Sequence, residues 1–229
     1  MPNFDIIKES KYFPTFRNES IKGQFDLSID SIVERFSGNI DIENKQWNIG
    51  LIVGSSGSGK TTISKQLFQN EYFQKFDYNE QSVLDNMPKE KSTEEITKTF
   101  NSVGFATVWS WLKQYSILSN GEKMRVDLAR CILSEKEIIV FDEFTSVIDR
   151  TIAKTCSFSI SKSIKKLNKK FVAISCHHDI IDWLEPDWVY DTDKRGFFFV
   201  KENIKDQKSN LKLEDVQQKS GLFLKNIII

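Results

Sequence analysis

No stretch of this chain approaches the roughly 18 consecutive apolar residues that a membrane-spanning helix requires, and its opening MPNFDIIKES lacks the order of a signal peptide. An excess of charge of either sign is missing as well. Lys and Arg number 32, as do Asp and Glu, so net charge points to neither a nucleic acid nor an acidic partner, although a local basic patch is compatible with that balance. Cysteine is sparse: Cys131, Cys156 and Cys176 are odd in number, show no CxxC spacing and sit in apolar contexts. They argue against a disulfide framework or a thiolate metal site, and read as small buried side chains in a reducing compartment. No segment repeats. The expectation is a cytoplasmic protein.

What the chain does contain points to a packed core. Its 229 residues suit one domain, or one with an appendage, and an aromatic content of 12%, with 18 Phe, argues against disorder. Residues 1–50 mix short apolar runs with polar breaks and read as a few β-strands, FDLSIDSIV (25–33) being the clearest alternation. ISKQLFQNEYF reads as a helix, and a capping box at Ser92 and Glu95 opens another through about Phe100. A short helix is expected from Val108 to Gln114. LSNGEKMRVDLARCIL gives a longer one with Leu128, Ile132 and Leu133 on one side. KEIIVFDEF is a buried strand ending in two carboxylates. Ile152, Cys156, Ile160, Ile164 and Leu167 mark one face of a further helix. KKFVAISC is again a strand, and WVYD with GFFFV reads as a closing hairpin. Strands alternating with helices indicate a mainly parallel α/β sheet.

The stretch GSSGSGKTT carries chemistry. It matches G-x-x-x-x-G-K-[ST] at Gly54, Gly59, Lys60 and Thr61, with an apolar strand before it and a helix pattern after it. The glycines let successive backbone N–H groups turn inward as an anion nest at a helix N-terminus, so Gly54, Ser55, Gly57, Ser58, Gly59, Lys60, Thr61 and Thr62 are the expected phosphate cradle. A Gly/Ser linker would need neither the strand nor the Lys-Thr end. Lys60 would reach the β- and γ-phosphates and the Thr61 hydroxyl would sit on Mg²⁺. The strand IIVFDEF would present Asp142 to the same ion, and Glu143 to the water that attacks the γ-phosphate.

LSNGE (118–122), lying between these two motifs, resembles the signature segment of the ABC ATPase superfamily, with Asn120 and Glu122 in place of a glycine and a glutamine. From the residues alone, Ser119 is a helix N-cap and Glu122 its reciprocal partner. The resemblance implies an α/β P-loop NTPase core with an N-terminal antiparallel β-subdomain and a short helical insert. It implies MgATP as ligand, ATP hydrolysis, and a head-to-tail homodimer in which Ser119 and Gly121 complete the partner's site. TSVIDR (145–150) matches the family's D-loop, with Asp149 as its acid and Ile148 where Leu is usual. Cys176-His177-His178-Asp179 falls where the family places a switch histidine. Position directly before Asp selects His178; an SCHxD pattern of small soluble members selects His177, which is slightly favoured. The family's Mg²⁺-touching glutamine is best matched by Gln81, with Gln74 and Gln114 competing and a solvated surface glutamine as the plain alternative. For the adenine-stacking aromatic, Tyr12, Phe13 and Phe16 compete, with Arg17 as a cation–π alternative and a core role the plainer reading of each aromatic.

The resemblance spans about residues 45–200 of one ABC-type ATPase domain covering 1–229, divided as 1–50 (β part), 75–117 (insert) and 201–229 (charged extension). Fewer than sixty residues separate Thr61 from Leu118. That shortness argues against a membrane subunit as partner, while QWNIGLIVGSSGSGKTT, LSNGEKMRVDLAR and SCHHDIIDWLEPDWVYD resemble small soluble members of the family, some of which are joined to an acetyltransferase-like domain. The partner would then be an acetyltransferase-like or nucleic-acid-acting protein, with direct nucleic-acid binding left open. The rivals are the ATP-binding subunit of a membrane transporter and a low-turnover nucleotide-dependent switch.

Overall fold

The computed structural model describes residues 3–28, 31–73 and 76–200; Gln74 and the extension 201–229 lie outside them. Its centre is a five-stranded sheet in the order β4-β5-β3-β6-β7, built from β3 (Ile49–Val53), β4 (Ile138–Phe141), β5 (Lys170–Ser175), β6 (Trp188–Asp191) and β7 (Gly196–Phe199). The first four run parallel and β7 closes antiparallel on β6 as the expected hairpin. β3 lies between two parallel neighbours and all five of its residues are buried, so its carboxyl end opens at the middle of the sheet, where ligands of open α/β sheets collect.

Side chains alternate between the faces of each strand, giving two apolar layers. Leu51, Val53, Ile139, Phe141, Phe171, Ala173 and Val189 face one, packed by residues of α3 (Thr93–Ser102), α5 (Asn120–Leu133), α6 (Arg150–Leu167) and α7 (Ile180–Leu184). Ile52, Val140, Val172, Ile174, Trp188 and Tyr190 face the other, joined by Phe4, Ile40, Trp47 and, from α2 (Lys60–Leu67), Ile63. Both layers are buried, which explains why these strands read as continuous apolar runs.

The N-terminal part is β1 (Asn3–Lys11) paired antiparallel with β2 (Ser31–Asn39), with a helix, α1 (Phe16–Gln24), between them. This corrects the all-strand reading of 1–50. Thr15 caps α1 by accepting from the Asn18 amide, and the helix buries none of its residues, so it leaves no apolar periodicity to read. The strand expected over 25–33 is likewise displaced: Phe25 and Asp26 form a turn, residues 29–30 lie outside the described set, and β2 begins at Ser31. Phe13 and Phe16 are 68% and 90% exposed, so neither is a core residue.

The helix after the phosphate loop stops at Leu67, and the one expected over 108–114 is the single turn α4 (Val108–Trp111), followed by a 3₁₀ turn at Tyr115–Ile117. On α6 the buried stripe is Ala153, Cys156, Ser157, Ile160, Ser161 and Ile164. Ile152 and Leu167, expected on it, are 41% and 52% exposed: Ile152 lies beside that stripe, and Leu167, though in phase with it, is the last residue of the helix. No helix among the described residues is long and apolar enough to cross a membrane.

Candidate functional site

The four parallel strands deliver their functional residues to one edge. β3 leads into Gly54, β4 into Asp142, β5 into His177 and His178, and β6 into Thr192 and Asp193. Gly59, the residue before α2, has φ +89 and ψ 6, a left-handed conformation that an L side chain rarely adopts; a Cβ there would lie 2.3 Å from the Phe36 ring. The turn directs the N-terminus of α2 at the loop's concavity, with the helix dipole favouring an anion. Lys60 is buried and its Nζ donates to the carbonyls of Gly54 (2.9 Å) and Ser55 (2.6 Å). The ammonium is thereby drawn across the loop's own backbone.

β5 separates β3 from β4, yet Asp142 reaches across it: Thr61 Oγ1 donates to Asp142 Oδ2 at 2.7 Å. Two hard oxygens thus converge at the mouth of the phosphate loop, a donor set suited to Mg²⁺. The same Oδ2 accepts from Tyr72 Oη at 2.5 Å. Burial first, then the Asp142 hydrogen bond and charge, push the Tyr72 phenol well above its ordinary pKa, so it stays a donor. Tyr72 was not anticipated; it arrives through an isolated bridge to Val140. Nor was Lys8, whose Nζ donates to Thr62 Oγ1 at 2.6 Å and ties β1 to α2.

Glu143 follows with φ +54, exposed, its amide held by Asp142 Oδ1 at 2.9 Å. Thr145 also has positive φ (+64), and its buried hydroxyl has no hydrogen-bond partner among the described residues. Between them Phe144 is fully buried and its amide donates to the Ile174 carbonyl at 2.8 Å. Positive φ thus flanks one anchored side chain directly after the Asp142 strand end, a pattern that clusters at functional sites.

The turn at 118–122 is built as its residues indicate. Ser119 Oγ accepts from the Glu122 amide at 3.3 Å and Glu122 Oε2 accepts from the Ser119 amide at 3.0 Å, a complete capping box on α5. A Cβ on Gly121 would lie 2.8 Å from Ile148 Cγ2, so the glycine is required by close approach to the 145–150 segment. Asp149 caps α6 through the Thr151 amide at 2.8 Å, and that bond holds its carboxyl below its ordinary pKa. Tyr78 and Tyr115 stack with centroids 3.8 Å apart and both donate to Asp127 of α5, at 2.7 and 2.8 Å; they lock the insert to the helix that carries Ser119.

Gln81 is exposed and exchanges hydrogen bonds with Asn79, so the structure does not bring it together with Thr61 and Asp142, whose hydrogen bond is to each other. Gln114 bridges to Ser82. Of the two histidines, His178 turns to the sheet edge, its Nε2 3.3 Å from Asp191 Oδ2, while the His177 amide donates to Ser175 Oγ. Donor atoms of His178, Asp191 and Asp193 all lie within 4.8 Å of one another. Asp193 spends both oxygens on Ser55, and Asp191 Oδ1 accepts from two turn amides, so the group is a hydrogen-bonded turn rather than an open cation cage.

A family model described as ABC transporter matches residues 67–146. The chain is 23% identical over 163 residues to a mitochondrial potassium channel ATP-binding subunit of Mus musculus, covering 65% of this chain and 22% of that protein. It is 27% identical over 178 residues to the L-cystine transport system ATP-binding protein TcyN of Escherichia coli, covering 54% of this chain and 69% of that protein. The chain thus spans under a quarter of the first relative's length. Similar solved folds include a bacterial ABC transporter cassette in dimeric form (TM-score 0.54, 15% identity, 72% of this chain and 89% of that one). A second is cbiO1 of Clostridium perfringens, part of the transporter complex cbiONQ (TM-score 0.57, 17% identity, 82% and 91%). None of these is named for an acetyltransferase. The expectation drawn from the short insert, that a membrane subunit is an improbable partner, is overturned by these similarities to transporter cassettes. The physical reason is that insert length does not measure docking surface. The short insert still leaves Val108, Trp109, Leu112 and Ile117 between 56% and 79% exposed.

Proposed function

We propose that this chain, a member of the ABC-type ATPase superfamily, is a MgATP-hydrolysing cassette that closes as a head-to-tail dimer around nucleotide and drives a membrane-embedded partner. The observation that carries this reading is the 2.7 Å contact of Thr61 with Asp142, which joins the phosphate loop to the strand-end carboxylates. Lys60 and the amides from Gly57 to Thr62 bind the phosphates, while Thr61 and Asp142 hold Mg²⁺. The ion supplies charge neutralisation of the phosphate oxygens when bound. Glu143 orients and polarises the attacking water, with His177 or His178 at the γ-phosphate; Gln81 would reach this centre only if its loop moves.

Ser119, at the N-terminus of α5, presents its hydroxyl and the helix dipole to the nucleotide of the opposite subunit, and Asp149 lies beside that contact. The exposed apolar side chains of the insert supply the docking face for the membrane partner. They lie on the segment that the Tyr78–Tyr115 stack fastens to α5, so movement at the docking face is passed to Ser119. Phosphate release is the test. Wild type turns over MgATP, Lys60→Ala loses nucleotide binding, and Glu143→Gln retains binding while turnover falls by about 10²-fold or more, the range for loss of a general base. Turnover unchanged in Glu143→Gln removes that residue from the mechanism.

A further inference from the structure

The β6–β7 turn grips the phosphate loop from outside. Asp193 accepts from the Ser55 amide (2.7 Å, Oδ2) and the Ser55 hydroxyl (2.7 Å, Oδ1). Thr192 donates its hydroxyl to the Val53 carbonyl (3.1 Å), its amide also meets that carbonyl (2.8 Å), and Ser58 Oγ lies 2.6 Å from Thr192 Oγ1. With the Thr192 proton spent on Val53, Ser58 is the donor in that last pair. The fit is tight enough that a Cβ on Gly54 would fall 2.0 Å from Thr192 Oγ1. Behind the turn, the buried Asp191 accepts from the Asp193 and Lys194 amides through Oδ1 (3.0 and 3.1 Å), and its Oδ2 faces His178 Nε2 at 3.3 Å. A continuous hydrogen-bonded path therefore runs from Ser55 through Asp193 and Asp191 to His178.

We propose that Asp193 and Thr192 are positioning residues that brace the phosphate loop in its nucleotide-binding shape, and that Asp191 couples this brace to His178. None of these three touches a reacting atom. Ser55 is held by Asp193 at its amide and hydroxyl and by Lys60 at its carbonyl, so the loop enters binding already ordered, and less freedom is lost when phosphate arrives. His178, lying at the far end of the path, has the loop's position transmitted to it. This rests on the ATPase reading for its consequence, though not for its geometry.

Two measurements on the full chain separate these. The first needs no nucleotide: amide hydrogen exchange across residues 54–58 is expected to accelerate at least tenfold at Ser55 in Asp193→Ala and less in Asp193→Asn, which keeps one acceptor. Rates within twofold of wild type in both variants overturn the brace. The second is titration with a fluorescent ATP analogue. Asp193→Ala is expected to raise Kd about tenfold, or about 1.4 kcal/mol, with kcat at saturation falling much less, a split that simple loss of folded protein would not give. In a cycle with His178→Ala, the second substitution should affect kcat less in the Asp193→Ala background than in wild type. Additive effects overturn the coupling to His178. If wild type and Lys60→Ala bind the analogue equally poorly, the ATPase reading fails, while hydrogen exchange still decides the brace.

Discussion

Replacing Gly59 by alanine isolates the geometry on which the phosphate loop depends. At φ +89 the residue is left-handed, and the new Cβ would stand 2.3 Å from Phe36 Cε1 and 2.4 Å from Cδ1. The backbone strain costs about 1–2 kcal/mol, and displacing a packed ring costs about 1–3 kcal/mol, so the total destabilisation is about 2–5 kcal/mol. Against the ~5–15 kcal/mol by which domains are stable, the variant folds but is markedly weakened. Urea denaturation followed by Trp fluorescence reads this directly, because Trp47 and Trp188 are core residues. The two contributions separate in a cycle with Phe36→Ala. In that background the clash disappears, and Gly59→Ala should cost only the backbone part, about 1–2 kcal/mol. A loss below about 0.5 kcal/mol in the wild-type background, inside the range of inconsequential surface changes, would show that Gly59 is under neither constraint. An equal loss in both backgrounds would refute the part assigned to Phe36.

The two capping boxes give a matched pair: Ser92→Ala and Ser119→Ala each remove a hydroxyl that accepts an N3 amide and should each cost about 1 kcal/mol of stability. Only Ser119→Ala should also depress phosphate release; equal effects on turnover would remove Ser119 from the nucleotide site. Burial pushes the Cys156 thiol up to about 12 and the Cys131 thiol well above its ordinary value. At pH 8 both are therefore almost wholly protonated and poor nucleophiles, so a thiol reagent should label the half-buried Cys176 first and all three only after denaturation. Fast labelling of Cys131 or Cys156 in the folded protein, read by mass spectrometry of peptides, would contradict the packing described.

The parts of the fold that could be read in advance are those written in neighbouring residues. Ser92 and Glu95, or Ser119 and Glu122, are three positions apart, and each box formed as its spacing indicates. β3, β4 and β5 were legible because burial on both faces leaves an unbroken apolar run. α1 was not, because a helix that buries nothing has no stripe to read. Ile152 looked like a stripe member because four- and three-residue steps fit more than one face, and Leu167 keeps the phase of the stripe but ends the helix. Tyr72 and Asp193 were invisible for a different reason. Their partners, Asp142 and Ser55, lie 70 and 138 positions away, and no local pattern distinguishes such a tyrosine or turn aspartate from a solvated one.

The docking expectation failed on a similar point. Counting residues between Thr61 and Leu118 measured how much chain the insert has, but Trp109 at 79% exposure shows that surface is set by which side chains face outward. The adenine-stacking candidates illustrate the converse. Phe13 and Phe16 are available at the surface, whereas Phe36, from β2, is the ring that packs against Gly59, and its alternating neighbours gave no sign of that contact.

Light scattering on Glu143→Gln, with and without MgATP, tests the central claim most directly. A species near 26.6 kDa is expected without nucleotide and one of twice that mass at saturating MgATP, with Lys60→Ala introduced into the same variant returning it to the smaller mass. A protein that binds MgATP yet keeps the smaller mass at every nucleotide concentration would contradict the sandwich dimer and the role given to Ser119.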